Sequence, residues 1–473
     1  MKAIFSLLLI CTPLLFFGQS KQVLSENGEL INIEKVLQKY IQFPSLSESE
    51  KEAGTYLKSI CKNNGLYISD FGTDNGQYNF AASILPLSSG KPNIILLSHI
   101  DVVPESDTNL RKAYSGEIED DVIYGRGAID NKGAGIMQLY GMLKFKDVNE
   151  VDDLPYNITF LAVSCEETQC QGGIQYVLDN HFEELNAVAV VGEGPSELTG
   201  LIEGEFDHPV FGISLITKRP LWLELIFTSK TNGHGSITPT NYANKEMVEA
   251  LHRLTKKKPK VIYNDMNVAF LKDVGSFHNG PKKAALRNPK LFRPAIVPHL
   301  RKFPELLSLF TNTITLTNLI TNGGAVNKLS SQAIAQLDCR LLPETNETEF
   351  LHMIRSRLKN EEIEIRVLER APKVAPSPSN SIYHESLVKA ITSYYPKAKT
   401  MDMLMPNTND LFAFRQRNIP SYGAIPVYFD KEEVRSVHGK NEHLHLKSLH
   451  DGSEVFLRFI QILMGVPSTG TTN

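Results

Sequence analysis

Three short apolar runs, Ile94–Leu97, Ile158–Val163 and Ala187–Val191, are each followed within a few residues by His or Glu. Each has the length and make-up of a strand buried on both faces. Between the first two lies a helical segment, Lys132–Lys146, rich in Ala, Met and Leu. Strand–helix alternation of this kind points to an α/β architecture, a mostly parallel sheet with helices on both faces. Functional groups in such sheets collect beyond the carboxyl ends of the strands. His99, Glu166 and Glu193 all stand there.

At 473 residues the chain is too long for one ordinary core, so two domains are expected. Helical spacing runs from Ile31 to Asn64, with Ile33, Val36, Leu37, Tyr40 and Ile41 on one inward face and Tyr56, Leu57 and Ile60 on another. Around Asp207 the texture changes. Strand-like Val210–Ile216 and Leu221–Phe227, helical Asn244–Leu254, an irregular stretch over 261–311, strands at Thr313–Leu319, Gln332–Leu341 and Ile363–Leu368, and a helix at Glu347–Lys359 suggest a smaller α+β sheet covered by helices on one face. The Pro-rich Ala371–Ser379 reads as a hinge back to the first domain. The expected division is therefore 21–206 and 371–473 for the larger domain, with 207–370 inserted.

Residues 1–20 differ from the rest. Lys2, the apolar Ala3–Phe17 and Gly18-Gln19-Ser20 have the layout of a signal peptide, which implies a secreted or periplasmic protein. The apolar stretch is shorter than the ~20 residues of a spanning helix, so stable membrane insertion after its removal is not expected. A net charge of −4 without a basic, aromatic-interleaved stripe speaks against nucleic acid. Cys165 and Cys170 could pair in an oxidising compartment, but next to two acids Cys165 reads better as a small packed residue.

Five segments carry the candidate chemistry. In Ser98-His99-Ile100-Asp101, alternate residues face one side, so His99 can bind a metal while Asp101 holds the imidazole or orients a neighbour. Asp130, before a helix, is either an N-cap or a carboxylate shared by two cations. Adjacent Glu166 and Glu167 at a strand end are costly without a cation; one can bind metal while the other takes a proton from water. Glu193, flanked by Gly192 and Gly194, and the distant His438 complete two sites, each with one His, one terminal carboxylate and a share of Asp130.

These segments, with Val102-Val103-Pro104, Tyr124-Gly125-Arg126-Gly127 and Asp338-Cys339-Arg340-Leu341-Leu342-Pro343, resemble the co-catalytic zinc exopeptidases. That family contains carboxypeptidase S, aminoacylase, glutamate carboxypeptidase, acetylornithine deacetylase and succinyl-diaminopimelate desuccinylase, and the chain leans to the carboxypeptidase S-like branch. The resemblance implies a di-zinc hydrolase domain with an inserted lid or dimerisation domain. It implies His99 and Glu193 on one Zn²⁺, Glu167 and His438 on the other, Asp130 bridging, Glu166 as general base, and a cis peptide after Asp130. Co²⁺ or Mn²⁺ would fit the same ligands. His234, in Asn232-Gly233-His234-Gly235-Ser236, would stabilise the oxyanion, and Asn327 and Arg340 would bind the substrate's carboxylate. In the family that histidine often comes from a second subunit, which leaves monomer and homodimer both open.

Three departures stand out: Gly235 replaces a serine, 261–311 is an added stretch, and Lys440-Asn441-Glu442 is a loose match to an acidic segment. The expected activity is hydrolysis of an amide bond next to a free carboxylate, in a short peptide or an N-acyl amino acid. Its rival is a catalytically inactive peptide- or metal-binding protein on the same fold. Esterase or lactamase activity would use the same groups.

Overall fold

The structure, a computed structural model, describes residues 21–72, 78–105, 113–151, 153–199, 208–231 and 233–467. The expected signal segment, the boundary at residues 206–207 and Asn232 lie outside them. In chain order, the strands of the two main sheets are β1 Tyr67–Asp70, β2 Phe80–Ser83, β3 Asn93–His99, β4 Asn157–Val163, β5 Ala187–Gly192, β6 Val210–Thr217, β7 Arg219–Thr228, β8 Thr313–Thr321, β9 Gln332–Leu341, β10 Glu364–Arg370, β11 Lys399–Met405 and β12 Ser421–Gly423.

The larger sheet runs β11-β6-β12-β5-β3-β4-β2-β1. Strand β3 lies between β4 and β5 and is parallel to both, with Leu96 opposite Phe160 on one side and Val191 on the other. Pairs β11/β6 and β12/β5 are also parallel, whereas β6/β12, β4/β2 and β2/β1 are antiparallel. The fold is thus α/β around a mostly parallel sheet. Ile94 and Leu96 join the core under helices Ile33–Ile41, Lys132–Val148 and Leu446–Met464. Ile95 and Leu97 point the other way, to helices Ile174–Leu185 and Leu411–Gln416. Burial on both faces explains why these strands are apolar throughout. Parallel neighbours also end on one side, so the loops leaving β3, β4 and β5 all emerge at one rim.

The smaller sheet, β8-β9-β7-β10, is antiparallel throughout. Its inner face (Ala333, Ala335, Leu337, Cys339 and Leu341 of β9) packs on helices Ala243–Thr255 and Glu347–Leu358. Leu316, Leu319 and Ile320 of β8 are exposed.

Two expectations are corrected. Val210–Ile216, read as the first strand of the smaller sheet, is β6 of the larger one, and the chain changes sheets at Lys218. Residues 261–310, read as an extension of the smaller domain, build helices whose Phe270, Leu271, Val274, Ile296 and Phe310 pack with Met401, Met403 and Leu404 of β11. Strand β11 is an edge, and covering it with helices removes an open pairing surface. Ala371–Ser379 has no regular structure; Ala371 N–H donates to the Pro220 carbonyl and Ser377 N–H to that of Leu215, so it touches both sheets.

Candidate metal centre

The groups at the rim converge. His99 ends β3 and is buried. Its Nε2 lies 3.1 Å from Asp130 Oδ1, and its Nδ1 lies 2.9 Å from the Asp101 carbonyl. His438 Nε2 lies 3.2 Å from Asp130 Oδ2 and 3.2 Å from Glu167 Oε1. The two oxygens of Asp130 therefore face different histidines. Donor atoms of His99, Glu166 and Glu193 lie within 4.8 Å of one another, as do those of His99, Asp130 and Glu167. The Asp130–Asn131 peptide is cis, and Asn131 rather than Asp130 occupies the position before the helix at Lys132, without a side-chain capping bond.

Each donor is held from the side. Asp101, fully buried, accepts the backbone N–H of Glu166 through Oδ1 and that of Glu167 through Oδ2, both at 3.0 Å, and the Ser47 hydroxyl at 2.7 Å. Glu442 Oε1 accepts the N–H groups of Ile129 (3.0 Å) and Asp130 (3.1 Å), while its Oε2 takes Arg126 Nη1 at 2.6 Å. Arg126 Nη2 in turn donates to the carbonyl of Gly439, which ties the Asp130 turn to the His438 segment. Asn409 donates to the Glu193 carbonyl at 2.9 Å and Asn407 to Glu193 Oε1 at 3.3 Å. Gly194 is needed for this closeness: a Cβ there would stand 2.0 Å from the carbonyl carbon of Gly423.

The electrostatics call for cations. Burial, with Asp130 close by, pushes Glu193 up to about 8. Burial and the neighbouring Glu193, Asp410 and Glu167 also raise Glu166 well above the usual carboxylate range. Burial lifts Asp410 to about 7. Asp130 moves the other way, because hydrogen bonds from His438 and His99 outweigh its burial. Hydrogen bonds to Asp130 and Glu167 raise His438 to about 10. More carboxylates than histidines crowd one rim, and only nitrogen and oxygen donors are offered. A divalent ion relieves that repulsion, and the donor set fits Zn²⁺ or a similar metal.

The rim opens into a cavity of about 390 Å³ lined by Asp130, Glu166, Glu167, Glu193 and His438 on one side and by Trp222 and Arg340 of the smaller sheet on the other. Arg340 Nε donates to Asp338 Oδ1 (2.8 Å) and its Nη1 to the Thr408 hydroxyl (3.1 Å). His234 and Asn327 are not in that lining. Both are exposed, with Asn327 Nδ2 3.2 Å from His234 Nε2 and Ser236 Oγ 2.8 Å from His234 Nδ1. Within one chain, the expected carboxylate pair is thus split: Arg340 stands at the cavity, Asn327 beside His234.

The sequence assigns no role to Arg126 and Glu442, although both lie in motifs noted above, and it does not single out the loop Asn407–Asp410. The loop follows β11, which runs antiparallel to β3, β4 and β5, so the strand-end rule used for the other acids does not point to it. Cys165 was also misread: it is bonded to Cys170, with Cα atoms 5.3 Å apart. The turn between them brings the two sulfurs together, so local pairing wins over simple packing. Cys61 and Cys339 are free and buried.

Comparison with known proteins gives a consistent picture. The model of peptidase family M20/M25/M40 matches residues 95–462. The N-fatty-acyl-amino acid synthase/hydrolase PM20D1 of Mus musculus is 25% identical over 455 residues, covering 92% of this chain and 88% of its own. The probable carboxypeptidase S-like 2 of Dictyostelium discoideum is 22% identical over 362 residues, covering 75% of this chain and 68% of its own. Among solved structures, the M20 family metallo-carboxypeptidase Sso-CP2 from Sulfolobus solfataricus superposes with a TM-score of 0.68 at 19% identity, over 92% of this chain and 99% of that one.

Proposed function

Because the chain belongs to peptidase family M20/M25/M40 and is a metallohydrolase, we propose that it cleaves an amide bond next to a free carboxylate, in a dipeptide or an N-acyl amino acid. One observation carries this reading: Asp130 presents one oxygen to His99 and the other to His438, in the cavity that Arg340 also lines. In this reading His99 and Glu193 would hold one Zn²⁺, Glu167 and His438 would hold a second, and Asp130 would be shared between them. Such ions supply Lewis-acid activation of the scissile carbonyl and of water.

The residues do the rest. Glu166 accepts the proton of the attacking water and returns it to the leaving amine. Asp101 keeps Glu166 and Glu167 in place through their amides. Arg340 offers a planar fork to the substrate carboxylate, oriented by Asp338. His234 and Asn327 stand outside the cavity of their own chain, so the reading has them serve the site of a second copy, His234 at the oxyanion and Asn327 at the substrate carboxylate, in a homodimer through the smaller domain.

About 390 Å³ accommodates an amino acid with a small acyl or aminoacyl group, and a longer acyl chain would run out of the cavity. The fatty-acyl-amino acid hydrolase among the relatives makes such chains worth including in the test. We also place the protein outside the cytoplasm. The apolar segment Ala3–Phe17 after Lys2 and the Cys165–Cys170 disulfide support that placement. No helix among the described residues is long and apolar enough to cross a membrane.

The test is incubation of zinc-loaded protein with dipeptides, N-acyl amino acids of short to fatty chain length, and their carboxyl-amidated counterparts, read by mass spectrometry. Cleavage of the acids and sparing of the amides is expected. A protein that holds its metals yet cleaves nothing would favour the inactive binding protein instead.

A further inference from the structure

The loop that carries Glu166 and Glu167 is closed more tightly than a rim loop needs to be. It leaves β4 at Ser164 and returns at Gly173, the cap of helix Ile174–Leu185. A Cβ on Gly173 would stand 2.2 Å from the Ser164 carbonyl oxygen, so the two ends touch. Asn79 ties both: its Oδ1 accepts Ser164 N–H at 2.9 Å, and its Nδ2 donates to the Gly172 carbonyl at 2.8 Å. Three consecutive amides then point at buried carboxylates. Cys165 N–H donates to Glu50 Oε1 at 3.1 Å, and those of Glu166 and Glu167 donate to Asp101. Glu50 is fully buried. In the outer half of the loop, Gln169 folds back on the Glu166 carbonyl, and the Cys165–Cys170 disulfide spans the turn. Cys165, Cys170, Glu166 and Glu167 all line the cavity.

From this placement we infer that the Cys165–Cys170 disulfide is a positioning device for the reaction, holding Glu166 and Glu167 where the metals and the substrate meet them. The inference rests on the roles proposed above for those two acids. Asp101 and Glu50 hold the backbone from the core side, and the disulfide keeps the loop from opening towards the cavity. Misplacement of a catalytic group by about 1 Å costs on the order of 10²-fold in rate.

The experiment compares the oxidised parent, the Cys165→Ser/Cys170→Ser double variant, and the parent reduced with a water-soluble phosphine. Reduction breaks the S–S bond to give two thiols, and the phosphine leaves as its oxide with oxygen from water. Each form is titrated with Co²⁺ and followed by visible absorption and amide exchange, then assayed with zinc. We expect the second Co²⁺ to bind at least ~10-fold more weakly with an altered spectrum, and exchange to rise at 165–172 but not in β4. In the assay, kcat should fall about 10–100-fold with KM nearly unchanged. Reoxidation of the reduced parent should restore all three, which keeps the test decisive if the double variant does not fold. A double variant or reduced form with the parent's Co²⁺ spectrum, affinity and exchange, and only a lower Tm, would overturn the inference, leaving a plain staple. If the oxidised parent itself cleaves nothing, the functional reading fails, while the Co²⁺ and exchange comparisons still decide on the disulfide.

Discussion

The rim of the larger sheet and the open side of the smaller one hold their functional groups in opposite ways. At the rim every donor is tied before any ligand arrives: Asp101 holds the Glu166–Glu167 amides, Glu442 those of Ile129 and Asp130, and Asn407 and Asn409 hold Glu193. In the smaller domain, Arg340 keeps about a quarter of its side chain exposed (24%), and His234 and Asn327 lie on the surface with little but each other and Ser236. The difference matches two kinds of partner. A cation offsets the repulsion among buried carboxylates, so its site must be rigid and preformed. In the proposed reading a substrate carboxylate would be met by partly or fully exposed groups, on a domain joined to the other at Lys218 and Ala371–Ser379. Substitutions at the rim should therefore be felt in the free protein, and those in the smaller domain only in the kinetics.

Asp130→Ala should have the largest effect. It removes the carboxylate that both histidines face, so both metals should be lost or scrambled, activity should drop to background and Tm should fall. Retention of two tightly held zincs, measured by elemental analysis, would break the comparison at its strongest point. Glu166→Gln comes next. It should keep both metals and lose ~10²–10⁴-fold in kcat, since the proton acceptor is not itself a ligand in the proposed assignment. Loss of one metal would mean that Glu166 and Glu167 have exchanged roles.

Arg340→Ala should leave metal content and Tm near the parent's, as befits a partly exposed group that is not among the proposed metal ligands. It should lower kcat/KM on free-carboxylate substrates by an amount equivalent to about 2–4 kcal/mol. Carboxyl-amidated substrates should already be poor and be little affected by the substitution. Equal losses on acid and amide would show that Arg340 does not read the carboxylate.

The same contrast explains what could be read from the sequence. His99, Glu166, Glu167 and Glu193 were visible because β3, β4 and β5 are apolar on both faces and end together. Position after such a strand is therefore almost position in space. The inserted sheet and its helices showed through alternation in β9, where every second residue is buried. Val210–Thr217 misled because a strand pattern says nothing about which sheet the strand joins. Arg126 and Glu442 were hidden for another reason: they are 316 residues apart and meet only through the fold. Cys165 was misjudged from its acidic neighbours, although the turn that pairs it with Cys170 is local. The candidate ligands leave a local pattern, and the residues that hold them do not.

The smallest effect expected lies where the two regions meet. Lys218 is fully buried at the crossing from β6 to β7, with Nζ donating to the Ser308 carbonyl and the Thr313 hydroxyl, both at 3.2 Å. Its carbonyl accepts the Thr408 hydroxyl, which also accepts Arg340, so this lysine sits under the contact between the domains. Unlike the rim, this joint gives its buried charge no hydrogen-bonded carboxylate among the described residues, and Asp338 offsets only part of the burial. Burial, reinforced by the nearby Arg340, lowers the ammonium to about 7, against an ordinary 10.5. Between about 7 and 10.5 the folded protein therefore holds fewer protons here than the unfolded chain. Stability rises with pH across that window, and the cost of the buried charge is fully present below it. Lys218→Met removes the charge and loses two hydrogen bonds. The Tm difference, variant minus parent, should then be most favourable to the variant near pH 6.5 and shrink by about 1–3 °C towards pH 9.5. Groups elsewhere that titrate in this range cancel in the difference. A difference that stays constant or grows with pH would mean that Lys218 is not charged at a cost in the fold, and the joint would then be as well compensated as the rim.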